Sequence, residues 1–274
     1  MNIGVHLPQF GRASGPESIR RAAEQAEELG FDDVWVSDHL AVPDGVAYPP
    51  AYLYEPIVTL TWAAAATRRV GLGTSVLILP YRHPLHLAKE LSSLDQLSGG
   101  RLILGAGTGW LAEEFGALGV PMAERGARSD ECIDVLRACW ADDPVSVDGP
   151  TVRFDRMKVR PKPGHDIPIW VGGASEGALA RVVSKGDGWH GNVSADEARP
   201  IVGRLKKERP EDSFTVSMRT AWDGIDTPED EIKRDADAYR SLGVDHVVAM
   251  PAQADLSAWL RSVEELWRIL APFR

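Results

Sequence analysis

Eight short β-rich apolar runs, separated by longer amphipathic stretches, restrict the fold of this sequence more than any other feature. The runs begin near Asn2 (NIGVHL), Asp33 (DVWVSD), Val70 (VGLGTSV), Arg101 (RLILGAG), Ile167 (IPIWVGG), Asp187 (DGWHGNV), Phe214 (FTVSMRT) and Val244 (VDHVVAM). Strands that alternate with helical stretches build parallel sheets, because a parallel neighbour is reached only through a crossover. Eight is the count that closes a parallel barrel. Pro16 to Leu29 places Ile19, Ala22, Ala23, Ala26 and Leu29 on one helical face and stops at Gly30. His86 to Leu97, Ser129 to Trp140, Ser175 to Ser184, Ala195 to Lys207, Pro228 to Leu242 and Leu256 to Leu270 read the same way. The expected fold is α/β, a (β/α)8 TIM barrel. No linker, repeat or low-complexity tract divides the chain, so residues 1–274 are expected to form a single domain.

The alternation is interrupted once. The starts of the fourth and fifth runs lie 66 residues apart, against 31 and 37 for the two preceding intervals. The surplus contains VSVDGPTVRFDRMKVRPKPG, where Asp148-Gly149 separates two β-rich runs. That pattern predicts a β-hairpin insertion between strands four and five. The hairpin and the irregular loop from Ala41 to Tyr54 are both expected to line a substrate pocket.

Charge and cysteine content exclude several functions. Lys+Arg 30 against Asp+Glu 40 leaves a net charge of −10, which disfavours general affinity for nucleic acid or anionic membranes. The opening MNIGVHLPQF lacks the basic region and apolar run of a signal peptide, and no apolar stretch is long enough to span a bilayer. Cys132 and Cys139 stand seven apart on a predicted helix, about 10 Å along its axis and too far to bridge. A cytoplasmic protein acting on a small molecule is expected.

In a parallel barrel the chemistry gathers where strands end. The second run delivers Asp38 and His39, a carboxylate beside a group that moves protons near neutral pH. The same pair would serve as a turn cap and rim filler. The third run holds Gly73, Thr74 and Ser75, small enough for a flat ring to lie against the backbone, or for a bulge without ligand. The fourth ends GAGTGW, which is no dinucleotide fingerprint because Trp110 stands where the third glycine is required. The fifth ends in Gly172-Gly173 and leads to Ser175, a helix cap whose neighbouring amides could seat a phosphate or merely close a turn. His39, His83 and His86 offer a metal site as a competing reading, although Pro84 suits a helix start better. No serine occupies a G-x-S-x-G elbow.

Taken in order, these segments resemble the luciferase-like superfamily of flavin and deazaflavin enzymes. The matching pieces are IGVHLPQFG, AEELGFDDVWVSDHL, the stretch from RVGLGTSVLILPYRHP to GWLAEEFGALGVP, ERGARSDECIDVLRACW, PIWVGGASEGALARV and GDGWHG, together covering most of residues 1–191. The short chain, SDHL and GWLAEEFGALGVP look most like the actinobacterial coenzyme F420-dependent oxidoreductases. The resemblance implies a flavin-type ring at the C-terminal mouth, F420 with FMN as the alternative. It implies Asp38 and His39 beside the ring, with Asp38 holding His39, and a strand bend behind it at Ser75 and Val76 with a cis peptide bond. Thr108 and Gly109 match a cofactor loop, and Gly172, Gly173, Ala174 and Ser175 match a phosphate loop. It further implies hydride transfer to or from a small organic substrate, a homodimer, and no resident metal. An FMN-dependent monooxygenase using dioxygen, or a non-catalytic flavin binder, would share these loops. Trp110 replaces the glutamate that some sugar-phosphate dehydrogenases of the family carry, which points away from a sugar phosphate.

Overall fold

Side chains alternate across a strand, so each run sends one set inward to the barrel axis and one outward to the helices. The computed structural model describes all 274 residues. Its barrel strands are β1 (Asn2–His6), β2 (Asp33–Val36), β3 (Gly71–Thr74) continued by β4 (Leu77–Ile78), β5 (Leu102–Gly107), β8 (Ile169–Gly172), β9 (Gly188–Gly191), β10 (Thr215–Arg219) and β11 (His246–Ala249). All pair in parallel in the order β3-β2-β1-β11-β10-β9-β8-β5, and β3 pairs with β5 to close the ring. Each begins within two residues of the run that predicts it. The eight-stranded barrel is the expected fold.

The outward set, including Ile3, Val5, Val34, Leu72, Leu104, Ile169 and Val216, forms the main core with the surrounding helices. The inward set is different in kind. Trp35, Trp170 and Val248 form a separate small cluster on the axis, together with buried His6, His190, Ser217 and His246. Trp35 stacks on His190 at 4.9 Å between centroids and on Trp170 at 5.5 Å. Flat rings fit the axis only where the facing strands carry no side chain. A Cβ on Gly73 would overlap the Trp35 ring, one on Gly4 would come 2.6 Å from its Nε1, and one on Gly188 would come 2.8 Å from Trp170. The flat ring that Gly73 admits is therefore the protein's own.

The strand bend lies where the resemblance places it. Gly73 pairs with Ile103 and Leu77 with Ala106, so β3–β4 carries one residue more than β5 over this interval, a bulge at the barrel rim. The peptide bond between Ser75 and Val76 is cis.

Around the barrel run α1 (Pro16–Leu29), α2 (Pro56–Ala66), α3 (Pro84–Ser98), α4 (Ala112–Ala117), α5 (Arg125–Trp140), α6 (Glu176–Lys185), α7 (Ala195–Glu208), α8 (Glu229–Leu242) and α9 (Leu256–Leu270). Sequence patterning misses α2 and α4. The α2 sequence PIVTLTWAAAA buries Ile57, Leu60 and Ala63 but also exposes Val58 and Trp62, so no polar face marks its period. The hairpin insertion is present as β6 (Val145–Asp148) and β7 (Arg153–Met157) between the fourth and fifth barrel strands. Glu131 on α5 fastens it by accepting from the backbone amides of Thr151 and Val152, each at 3.0 Å.

Gly73→Ala should force a methyl group into the Trp35 ring and cost about 1–3 kcal/mol. Gly177→Ala, where a Cβ meets nothing within 4 Å, should instead gain about 0.4–1 kcal/mol. Urea unfolding of both proteins checks this, and equal midpoints would contradict the packing.

Candidate functional site

The C-terminal ends of the barrel strands open on a cavity of about 280 Å³. Asp38, His39, Ser75, Val76 and Gly109 all line it, so three sequence-distant strand ends meet there. Tyr48, Pro49, Pro50 and Leu53 confirm that the loop from Ala41 to Tyr54 forms one wall. No residue of the hairpin lines the cavity. Its attachment to the outer side of α5 holds it away from the mouth, which corrects the expectation for that segment.

His39 Nδ1 lies 2.7 Å from Glu114 Oε2 on α4. A carboxylate only accepts, so the imidazole carries its proton on Nδ1 when neutral and turns Nε2, which has no protein partner, toward the cavity. Glu114 is buried and also accepts from the amides of Leu40 at 2.6 Å and Ala41 at 3.1 Å and from the Tyr81 hydroxyl at 3.0 Å. Burial pushes its pKa up, but the hydrogen bonds from His39, Ala41 and Leu40 outweigh burial and hold it below the ordinary glutamate value.

Asp38 does not hold His39. Its carboxylate is bound by the two ends of the Arg82 guanidinium at 2.5 and 3.0 Å and by the Ile78 amide at 2.8 Å. Burial raises its pKa against the opposing pull of Arg82. Neighbouring residues on extended backbone point to opposite sides, so Asp38 anchors the β4 end while His39 turns into the cavity. Its position is structural support for the mouth, one residue from the imidazole.

Arg219, at the end of β10, is the feature that sequence patterning misses most completely. Its guanidinium lines the cavity, donates to the main-chain oxygen of Ser75 at 2.9 Å and contacts Met250 Sδ at 2.7 Å. No carboxylate pairs with it. Burial lowers its pKa, with only the Tyr48 phenol opposing. A half-buried cation without a counter-charge at a cavity mouth is costly unless something else supplies one.

Gly109 takes φ +76°, where a side chain is disfavoured, and a Cβ would come 2.8 Å from Ile78. Trp110 is 52% exposed, meets His39 edge-on at 5.6 Å and lies parallel to Tyr48 at 6.3 Å. Thr108 is half-buried beside them and does not line the cavity. Gly172 abuts the opposite side of Val76, where a Cβ would come 2.9 Å from the valine. Gly173 follows at φ +101°, and Ser175 caps α6 by accepting from the Ala178 amide at 3.3 Å. Gly173, Ala174 and Ser175 are exposed, and none of Gly172 to Ser175 lines the cavity. The histidines of the metal reading are not gathered. His83 caps α3, His86 pairs with Glu90, and no three His, Cys, Asp or Glu side chains cluster for metal binding.

A family model described as luciferase-like monooxygenase matches residues 1–262. The chain belongs to the luciferase-like monooxygenase family. An uncharacterised relative from Mycobacterium tuberculosis is 35% identical over 209 residues, 69% of this chain and 70% of its own length. An F420-dependent glucose-6-phosphate dehydrogenase from Kineococcus radiotolerans is 36% identical over 178 residues, 64% of this chain and 52% of its own. The monooxygenase RslO1 from Streptomyces bottropensis shares the luciferase-like fold with a TM-score of 0.83 at 23% identity, covering 99% of both chains. No helix of the chain is long and apolar enough to cross a membrane.

Glu114→Gln removes the charge that four donors share and should cost about 1.5–3 kcal/mol at pH 7. The folded-state pKa of Glu114 is depressed. Its contribution is therefore full above the unfolded pKa and is lost as pH falls through the folded one. Unfolding curves across pH should show the gap between variant and wild type closing in acid. A gap independent of pH would contradict the assignment.

Proposed function

We propose that this protein is an F420-dependent oxidoreductase that moves a hydride between the deazaflavin and a small organic substrate at the barrel mouth. The observation that carries the reading is one cavity holding both an imidazole with a free Nε2 and a half-buried guanidinium with no counter-charge. A fused ring whose edge bears carbonyl oxygens and ring nitrogens would supply the acceptors that Arg219 lacks. The site fits such a group in a second respect, because Val76 lines the cavity and is seated against Gly107 and Gly172, where a Cβ on either would strike it and displace it. The 36% identity with an F420-dependent dehydrogenase supports F420 among the ring cofactors of the family.

When bound, the deazaflavin supplies the two-electron chemistry. The remaining roles fall to this chain. Val76 and Gly109 would form the surface on which the ring rests, and Arg219 would bind its polar edge. Gly172, Gly173, Ala174 and Ser175, with the free amides of α6, would hold the phosphate of its tail. Thr108 would contact the cofactor from the separate loop it shares with Gly109. His39 would give or take a proton at Nε2 beside the reacting atom, kept in register by Glu114, while Asp38 and Arg82 fix the strand end that carries it. Trp110 and Tyr48 would enclose an apolar or aromatic substrate rather than a sugar phosphate and exclude water from the transfer. A second copy of the chain would cover the exposed α2 residues Val58 and Trp62. Light scattering that returned only monomer would remove that part of the proposal.

The likeness to RslO1 favours one alternative, an FMN-dependent monooxygenase in which the same glycine loop seats the FMN phosphate. Titration of the apoprotein with F420 and with FMN, followed by fluorescence quenching, separates the two. Selective binding of F420 is expected. His39→Ala should keep that affinity within about threefold and lower turnover by about 10²–10⁴. Selective binding of FMN with oxygen consumption would establish the alternative, and full turnover of His39→Ala would remove the histidine from its role.

A further inference from the structure

The barrel axis carries a chain of titratable groups for which the chemistry above has no use. It begins at the cavity, where Ser75 Oγ lies 2.8 Å from His190 Nε2. His190 Nδ1 is 2.8 Å from Ser217 Oγ, which is 2.7 Å from His246 Nδ1. His246 Nε2 then lies 2.9 and 3.1 Å from the two oxygens of Asp33, toward the opposite end of the barrel. All five residues are buried. Barrel interiors of this class are ordinarily packed with branched apolar side chains. A polar axis is costly unless each group finds its partner, and along this line each does.

The carboxylate gives the chain a direction. Asp33 also receives the Trp35 indole N–H, and a carboxylate has nothing to donate. His246 must then carry its proton on Nε2 and accept at Nδ1, so the Ser217 hydroxyl donates to it. The Ser217 oxygen accepts from His190 Nδ1–H, and His190 Nε2 accepts from the Ser75 hydroxyl. Every donor points away from the mouth, which leaves the Ser75 oxygen lone pairs free there. The groups facing His190 are Trp35, which is uncharged, and His246, Arg219 and His6. Burial first, and then His246, Arg219 and His6, hold His190 well below the usual imidazole range, so the ring is neutral.

We propose that Ser75, His190, Ser217, His246 and Asp33 form a proton relay that takes a proton released by a group bound at the mouth and stores it on Asp33. The bound group's proton goes to Ser75 Oγ as the serine's own proton passes to His190 Nε2. His190 releases its Nδ1 proton to Ser217, Ser217 releases its proton to His246 Nδ1, and His246 releases its Nε2 proton to Asp33. The bound group loses one proton, Asp33 becomes a carboxylic acid, and no electrons move. Both imidazoles begin and end neutral and exchange tautomers, so no charge is left in the apolar middle of the barrel. The reverse sequence returns the proton. Ser75 is the member that meets the ligand, and the other four are positioning residues that act through it. The relay rests on the oxidoreductase reading only for the identity of the bound group.

Histidine-selective ¹⁵N labelling of the full chain tests this without a substrate. At pH 7 the wild-type spectrum should show His190 protonated at Nδ1 and His246 at Nε2. Asp33→Asn offers an amide donor where the carboxylic acid would donate, and its oxygen still accepts from Trp35. It should invert both rings together. In Asp33→Asn/Ser217→Ala, His246 should invert while His190 keeps the wild-type tautomer. An unchanged His190 in Asp33→Asn, or inversion of both rings in the double variant, would overturn the relay. With a substrate in hand, Ser217→Ala should lower kcat at least tenfold with KM unchanged, and a wild-type kcat at every pH would also overturn it. Absence of turnover by the wild type counts against the oxidoreductase reading alone, because the tautomer spectra decide the relay independently.

Discussion

The position of Trp35 on the barrel axis is the constraint on which the rest depends. Its indole stacks on His190 and Trp170, and its N–H is held by Asp33. A ring of that size at the axis requires Gly4 and Gly73 on the flanking strands, where any Cβ would collide with it. The same ring supports the His190 imidazole under Ser75, and the extra residue of the β3–β4 bulge turns Ser75 and Val76 into the mouth. The packing of the interior and the floor of the cavity are one arrangement.

Above that floor the site is built from two charged groups treated in opposite ways. Glu114 gathers four donors and becomes a rigid anchor for His39. Arg219 sits half-buried with one main-chain oxygen and one thioether sulfur and no carboxylate. A fully satisfied charge stabilises the fold, whereas an under-satisfied one is retained where a ligand completes it. The contrast sets a rigid side of the cavity against the side where the proposed cofactor would supply the missing acceptors.

The fold was legible in the sequence because its signals are local. Each barrel strand is announced by its own apolar run, and Asp148-Gly149 marks the hairpin by turn chemistry alone. Helix α2 was not legible, since its exposed face carries Val58 and Trp62 and leaves no polar stripe to set a period. The site was legible as a set of strand ends, and Asp38, His39, Ser75, Val76 and Gly109 do meet at one cavity. Their partners were not. Glu114 lies 75 residues from His39, and Arg219 lies 144 residues from Ser75. Only the closure of the barrel brings such groups together. Asp38 shows the converse error, where adjacency in sequence suggested contact but the extended backbone sends the two side chains apart. The spacing of Ser217 and His246 on β10 and β11 likewise becomes meaningful only when the parallel register places them opposite each other.

If the mouth is a ligand site prepared at the expense of the empty fold, Arg219 is where that expense lies. The most direct measurement is the unfolding midpoint of Arg219→Met against wild type, each with and without saturating F420. The variant without ligand should be at least as stable as wild type, because it no longer holds a half-buried charge without a counter-charge. The variant should also lose most of the rise in midpoint that the cofactor gives wild type. A variant destabilised by more than about 2 kcal/mol yet fully stabilised by F420 would contradict the ligand-binding role and make Arg219 a structural residue.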